Sequence, residues 1–341
     1  MRIGIICPSE IALRRFMPAL QKHSEFQFVG IGVCSYEERF GDSNISNSEA
    51  DMILETEKNK AKVFIDSYGG KMFSSYKEIT ESEMIDAIYI PLPPALHYKW
   101  AKHALEHGKH VLVEKPSTIR SEDTKELVEI ARKNKLALHE NYMFMFHEQL
   151  DAIEDIVKRG DIGEVRLYRI SFGFPQRDKM DFRYNKSLGG GALIDAGGYT
   201  MKYADRLLGN TASVKYAQIN NLEGFEVDMY GSGAMINGDG VTAQIAFGMD
   251  NNYKCELEIW GSKGTIRTDR ILTAPVDFVP KVVVRNGNED KVYDLPSDDA
   301  FFKSIQYFQR CMKNEDTRIK SYNAMIRQAE LVDEFRRLSG E

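Results

Sequence analysis

Over the first 141 residues, short apolar runs alternate with helical patterns, and this alternation leaves the chain few folds to choose from. Residues 3–6 are apolar, a helical pattern follows through Ile11, Leu13, Phe16, Met17 and Leu20, and 26–34 read as a second strand. Further strands are predicted at 87–91, 109–113 and 136–140, with helical patterns at 96–106 and 121–134. Such alternation predicts a doubly wound parallel sheet with right-handed crossovers. After Asn141 it fails. A helix over 149–159 precedes strands at 164–172, 214–220, 228–236, 241–247, 255–260 and 281–285. Several of these alternate apolar and polar residues, as Thr242-Ala243-Gln244-Ile245-Ala246-Phe247 does, which predicts an antiparallel sheet wetted on one face. Residues 301–338 return to helical periodicity. The expected architecture is an α/β domain over 1–141, then an α+β domain over 142–341 with a large, open, mostly antiparallel sheet.

A length of 341 residues agrees with two domains, at about 150 residues each. A net charge of −6 gives no footprint for nucleic acid or anionic lipid. The opening Met1-Arg2-Ile3-Gly4-Ile5-Ile6 lacks a signal-peptide pattern, and no apolar run approaches the ~18 residues of a membrane span, so a cytoplasmic protein is expected. The four cysteines (Cys7, Cys34, Cys255, Cys311) show no CxxC spacing, so neither a disulfide framework nor a cysteine zinc site is indicated. His103 and His107 have the i, i+4 spacing of a metal pair, but no third ligand is evident in sequence, and no metal is expected.

Chemistry concentrates at the ends of the predicted parallel strands. His110-Val111-Leu112-Val113-Glu114-Lys115-Pro116 puts Glu114 and Lys115 at a carboxyl end, where open α/β sheets bind ligands. The first turn, carrying Cys7, Ser9, Glu10 and Ile11, is where a dinucleotide pyrophosphate would lie. A G-x-G-x-x-G/A fingerprint would need glycine at 7 and 9 and a small residue at 12; the chain has Cys7, Ser9 and Ala12. Ser9 can compensate by capping the helix and offering its hydroxyl to a phosphate. The second strand ends Val33-Cys34-Ser35-Tyr36 without the acid that binds an NAD ribose, while Ser35 and Arg39 can hold a 2′-phosphate. The strand end therefore favours NADP over NAD, although an exposed Arg39 pairs as readily with a neighbouring glutamate. Pro91 and Leu92, in Pro91-Leu92-Pro93-Pro94, form a stiff loop suited to support a nicotinamide, with His97 opening the next helix.

These residues, with others along the chain, resemble the glucose-fructose oxidoreductase / inositol dehydrogenase / rhizopine-catabolism family of NAD(P)-dependent oxidoreductases. The resemblance rests on Arg2-Ile3-Gly4-Ile5-Ile6, Ala104-Leu105, Gly108-Lys109-His110-Val111, Glu114-Lys115-Pro116, Glu140-Asn141 and Phe146-His147. It continues through Gly160-Asp161-Ile162-Gly163-Glu164-Val165, Gly189-Gly190-Gly191-Ala192-Leu193-Ile194-Asp195 and Trp260-Gly261-Ser262-Lys263-Gly264-Thr265. It implies a Rossmann domain, NADP or NAD as cofactor, a sugar substrate, and a C-terminal sheet that commonly builds a homo-oligomer, a dimer or tetramer. The family's Asp-x-Gly-x-His-x-x-Asp segment is matched here by Asp195 and Gly197; Tyr199 replaces the histidine and Lys202 the final acid. The lysine suits an acidic or phosphorylated group, such as the diphosphate of a nucleotide sugar.

Moving hydride between a nicotinamide and a carbinol carbon also moves a proton on oxygen. A phenol titrates near 10, so a tyrosine serving as base at neutral pH needs a cation beside its phenolate. Tyr199 is therefore expected to carry the proton, Lys115 to supply the cation and Asp195 to bind substrate, with Lys202, Arg183 and Asn141 as further substrate contacts. Two alternatives stand beside this reading: a non-catalytic dinucleotide-sensing regulator, and a redox-neutral NAD-dependent enzyme that cleaves glycosides.

Overall fold

The computed structural model describes residues 1–41 and 45–340. The chain forms two compact units. One comprises Met1–Thr118, Glu122–Asn141 and Ser304–Ile326; the other comprises Ile119–Ser121, Tyr142–Lys303 and the chain from Arg327 on. Ser304–Ile326, which the sequence reading placed in the second domain, packs with the first unit.

The first unit holds β1 (Arg2–Ile6), β2 (Gln27–Gly32), β3 (Lys71–Phe73), β4 (Ala87–Ile90), β5 (His110–Val113) and β6 (Leu138–Glu140). They form one parallel sheet in the order β3-β2-β1-β4-β5-β6. Strand order reverses between β1 and β4, the switch point outside which doubly wound sheets bind ligands. Ile3, Ile5, Ile88, Ile90, Val111, Leu112 and Val113 are each 0% exposed, because helices cover both faces and the central strands bury successive side chains on either side. The helices are α1 (Met17–Leu20), α2 (Tyr36–Phe40), α3 (Asn47–Tyr68), α4 (Tyr76–Glu81), α5 (Pro94–Glu106) and α6 (Ser121–Lys133). Ahead of α1, Ala12–Phe16 wind as a wider π-helical turn. The sequence reading passed over α3, β3 and α4. In α3 only Ala50, Ala61 and Phe64 are buried, so its apolar stripe is too thin to read as a period.

The second unit holds α7 (Gln149–Lys158), β7 (Val165–Gly173), α8 (Gly198–Leu208), β8 (Ser213–Asn221), β9 (Asp228–Ile236), β10 (Thr242–Gly248), β11 (Lys254–Gly261), β12 (Gly264–Asp269), β13 (Lys281–Asn286) and β14 (Glu289–Asp294). The sheet runs β14-β13-β12-β11-β7-β10-β9-β8; β7 and β10 pair parallel and the other neighbours antiparallel. In β10, Ala243, Ile245 and Phe247 are buried while Gln244 and Ala246 are exposed, the alternation of a sheet with one wet face. The sequence reading missed β12 and β14; β14 is an edge strand exposed almost throughout and has no apolar face to reveal it. The chain ends with α9 (Ala300–Lys313) and α10 (Glu315–Ser339). Among the described residues, no helix is long and apolar enough to cross a membrane.

Two histidines tie the ends of the parallel sheet. His97 is fully buried, its nitrogens 2.7 Å from the carbonyl oxygens of Pro116 and Leu92. Burial, with Lys115 adding to the fall, lowers its pKa to about 4. At neutral pH the ring is thus uncharged and donates to one carbonyl at a time. His110 accepts from the Ala137 N–H at 2.8 Å, and burial lowers its pKa to about 4 as well. Both folded-state values lie below the ordinary value near 6.5, so the unfolded chain binds protons first as pH falls. Each group's contribution is complete above about 6.5 and is lost toward about 4. Urea unfolding is expected to lose about 2 kcal/mol per histidine between pH 6.5 and 5. His97→Gln should lose its share of that slope; an unchanged slope in the variant contradicts the account.

Candidate active site

At the nucleotide end of the first unit, Cys7 follows β1 with φ +72°, the left-handed conformation that the fingerprint gives to glycine. The turn is held by Cys7 N–H donating to Gly32 O at 3.1 Å and Ser9 N–H donating to Cys7 O at 2.9 Å. Ser9 Oγ accepts from Ala12 N–H at 3.2 Å, so it caps the following helical turn as its residue type predicts. Burial and the Glu57 charge push the Cys7 thiol up to about 12, so it carries no charge to repel a phosphate. Glu10 is exposed and pairs with Arg14 at 2.5 Å, and Ile11 is 38% exposed.

A cavity of about 370 Å³ opens here, lined by Cys7, Ser9, Glu10, Arg39, Glu57 and Lys60 among others. Ser35 spends its hydroxyl on a capping box with Glu38 at the start of α2 and is not among the lining residues. Two lining groups went unread in the sequence. Lys60 adds a second cation from α3. Glu57, also on α3, brings a carboxylate to the end of β2, where the sequence has no acid before Glu37. It accepts from Cys34 N–H at 2.9 Å, Cys34 S–H at 2.7 Å and Tyr76 O–H at 2.8 Å. Its oxygens are committed to protein donors, whereas Arg39 and Lys60 line the space with positive charge. The positive-φ turn, the capped helix and the two cations fit a dinucleotide bearing a 2′-phosphate.

At the end of β5 the structure redistributes the expected roles. Glu114 Oε1 accepts from Tyr89 O–H and from Asn141 Nδ2–H, each at 2.6 Å. Burial raises its pKa, against the pull of these two bonds and of Lys115. Asn141, 2% exposed, also accepts from Ser304 Oγ at 2.8 Å. Glu114 and Asn141, read as cofactor and substrate contacts, therefore spend these groups on each other and on the protein. His97 likewise turns both nitrogens toward backbone carbonyls, donating to one of them, instead of facing a ligand, and Pro91 and Leu92 are buried beside it. Lys115, half-buried, follows Glu114 and forms a cis peptide bond with Pro116.

In the second unit, a glycine-rich turn sets Arg183 against Asp195. Gly191 N–H donates to Arg183 O at 2.9 Å, and Gly190 N–H donates to Asn185 O at 3.0 Å. A Cβ at 190 would lie 2.3 Å from Arg183 O, so a side chain there would separate the two strands of the turn. Arg183 Nε then donates to Asp195 Oδ2 at 2.8 Å, and its Nη1 to Asp181 Oδ1 at 3.1 Å. Burial opposes the arginine's charge, but Asp195 and Asp181 outweigh it and raise its pKa. Asp195 lies within a π-helical turn, Leu193–Gly197, that runs into α8. The close approach at Gly197 and Gly198 is to protein: a Cβ would lie 3.1 Å from the Phe247 ring at 197 and 2.3 Å from Tyr142 Oη at 198. Tyr199 is half-buried in an aromatic cage, its ring 5.2 Å from Tyr142, 5.3 Å from Phe172 and 5.5 Å from Phe144. Lys202 holds its ammonium 5.7 Å over the Tyr142 ring. Asp195, Tyr199 and Lys202 are all partly exposed, while Met201, Ala204 and Leu208 turn to the core.

Residues 7–142 match the family model described as oxidoreductase family, NAD-binding Rossmann fold, and 150–267 match the GFO/IDH/MocA C-terminal domain. A dTDP-3,4-didehydro-2,6-dideoxy-alpha-D-glucose 3-reductase of Actinomadura kijaniata is 34% identical, covering 98% of this chain and 95% of that enzyme. The enzyme of the same name from Streptomyces violaceoruber is 34% identical over 98% of this chain and 94% of its own. A crystal structure of a 3-ketoreductase from Actinomadura kijaniata, in complex with NADP and TDP-benzene, superposes with a TM-score of 0.88 at 32% identity, covering 99% of this chain and 97% of that one.

Gly191 has φ +124°, and a Cβ there would lie 2.2 Å from Asp228 Oδ1, whose partner oxygen accepts from Leu193 N–H at 2.6 Å. Gly191→Ala combines backbone strain with displacement of that cap, and is expected to lower stability by about 2–3 kcal/mol in urea unfolding. A loss below about 0.5 kcal/mol, the range of ordinary surface substitutions, would contradict it.

Proposed function

The chain belongs to the GFO/IDH/MocA oxidoreductase family, and from that premise we propose that it reduces the keto group of a sugar carried on a nucleoside diphosphate, with NADPH as the reductant. The broader class is that of an NAD(P)-dependent sugar oxidoreductase. The observation that carries the finer reading is the likeness, over 98% of this chain, to 3-reductases of a dTDP-linked keto sugar.

Bound NADPH would supply the hydride; the residues of the chain bind, orient and move the proton. Tyr199 gives its phenolic proton to the carbonyl oxygen as that oxygen gains charge. The phenolate left behind needs a cation near neutral pH, the role expected of Lys115. Asp195, held by Arg183, receives a sugar hydroxyl, and Lys202 meets the diphosphate. Arg39 and Lys60 take the 2′-phosphate of the cofactor.

With a dTDP-linked 3-keto sugar and NADPH, Tyr199→Phe and Lys115→Ala should each lower kcat at least about a hundredfold while NADPH affinity changes little. Near-wild-type rates in both variants would sink these roles, and turnover of free sugars in preference to nucleotide-linked ones would sink the substrate.

Arg39→Ala and Lys60→Ala should each weaken NADPH by about tenfold, roughly 1.4 kcal/mol, and leave NADH unchanged in fluorescence titration. Equal losses for the two cofactors would remove these cations from the 2′-phosphate.

A further inference from the structure

Away from the nucleotide crevice, α4 and α5 bring three ligand-type side chains together. Glu81 is the last residue of α4, His103 stands in the last turn of α5, and His107 caps that helix. The two imidazoles stack with centroids 4.3 Å apart. Nε2 of His103 is 3.5 Å, and Nε2 of His107 3.8 Å, from Glu81 Oε1, and the three ligand atoms all lie within 4.8 Å of one another. The sequence showed the histidine pair; the third group was hidden because it arrives from another helix.

The hydrogen bonds on the far side of each ring fix what the near side offers. His107 Nδ1 lies 2.8 Å from the backbone oxygen of His103, a pure acceptor, so Nδ1 carries the proton. His103 Nδ1 lies 2.9 Å from Thr80 Oγ1. The single hydroxyl proton of Thr80 is directed at Tyr76 O, 2.8 Å, and Lys77 O, 3.0 Å, so its oxygen accepts and His103 Nδ1 is protonated too. In each neutral ring Nε2 is left with a lone pair. Two lone pairs and a carboxylate oxygen then lie within 4.8 Å of one another, a repulsion that a proton or a bound cation relieves. Lys77 reaches Glu81 Oε1 only at 3.9 Å. Outward Nδ1–H bonds to oxygen with inward Nε2 lone pairs are how proteins orient histidines toward a metal.

We propose that Glu81, His103 and His107 bind a divalent transition ion of the zinc class, with the fourth position open to water. Ligand bonds of about 2.0–2.1 Å in a tetrahedron put ligand atoms roughly 3.3–3.4 Å apart, so the two nitrogen–carboxylate separations need close by only a few tenths of an ångström. Two imidazoles and one carboxylate select zinc, copper or nickel over magnesium or calcium. The ion ties the end of α4, which leads into β4, to the end of α5, which leaves it, and so closes the chain around that strand.

The test is calorimetric titration of the full chain, freed of metal by a chelator, with ZnCl2 and separately with MgCl2, alongside thermal unfolding. One zinc is expected to bind per chain and raise the unfolding midpoint, with no magnesium response. His107→Gln and Glu81→Gln should each weaken zinc about tenfold or more and abolish the thermal shift, while NADPH titration confirms that both variants are folded. Zinc binding that keeps full affinity in either variant overturns the three-ligand site. Absence of zinc binding overturns it as well, and leaves the cluster an imidazole–carboxylate contact.

Discussion

A carboxylate taken out of water at the end of a parallel strand sets the terms for the first unit. An unpartnered buried charge costs several kcal/mol, so Glu114 obliges its neighbours to donate. Tyr89 and Asn141 do so at 2.6 Å each, and Asn141 is itself fixed by Ser304. Bonds of this charged kind contribute about 1.5–3 kcal/mol apiece and offset part of the desolvation, which still leaves the Glu114 pKa raised. The network joins β4, β5, the chain after β6, and α9, so it fixes the backbone from which Lys115 departs. His97 completes the clamp by donating to one of two carbonyls, that of Leu92 in the loop after β4 or that of Pro116. The residue whose charge points to chemistry is thus placed by neighbours that have none to perform.

Among the described residues the non-glycine positions with positive φ are Cys7, Lys135 and Arg270, and the first of them stands where a ligand would lie. Cys7 holds a conformation that costs a residue with a Cβ about 1–3 kcal/mol, and β1, β2 and the Ser9 cap keep it there. Among the described residues the helix winds in π fashion at Ala12–Phe16, just past that turn, and at Leu193–Gly197, around Asp195. Such turns are rare in proteins and gather at functional sites. The missing fingerprint glycine is therefore a change of residue, and the backbone shape survives it.

What could be read from the sequence was what repeats. Parallel strands buried on both faces and antiparallel strands wetted on one leave distinct patterns, so both sheets were legible, and the helical face of Asp195, Tyr199 and Lys202 followed from spacing alone. What failed was whatever depends on a partner far along the chain. Glu57, from the middle of α3, reaches the end of β2; Glu81 reaches His103 and His107; Asn141 and His97 turned out to hold the protein, because their partners Ser304 and Pro116 are invisible to local inspection. Gly197 and Gly198 signalled a close approach, but only the folded structure distinguishes a ligand from Tyr142 and Phe247. The thin stripe of α3 and the exposed β14 fell below any periodicity.

The second unit separates two tasks that a sugar oxidoreductase must not confuse. Asp181 and Asp195 share one guanidinium, two negative charges against one positive, and the salt bridges at 3.1 and 2.8 Å leave Asp195 anchored through Oδ2. A carboxylate held in that way is suited to orient a hydroxyl, since handing over a proton would require it first to take one up against the arginine's charge. Tyr142, Phe144 and Phe172 cage the Tyr199 ring and fix where the phenol stands through aromatic contact. In the proposed reaction the aspartate therefore holds the sugar and the tyrosine moves the proton. Lys202 lies three residues along the same helix from Tyr199, so the group proposed to meet the diphosphate and the group proposed to meet the carbonyl oxygen are carried by one helix.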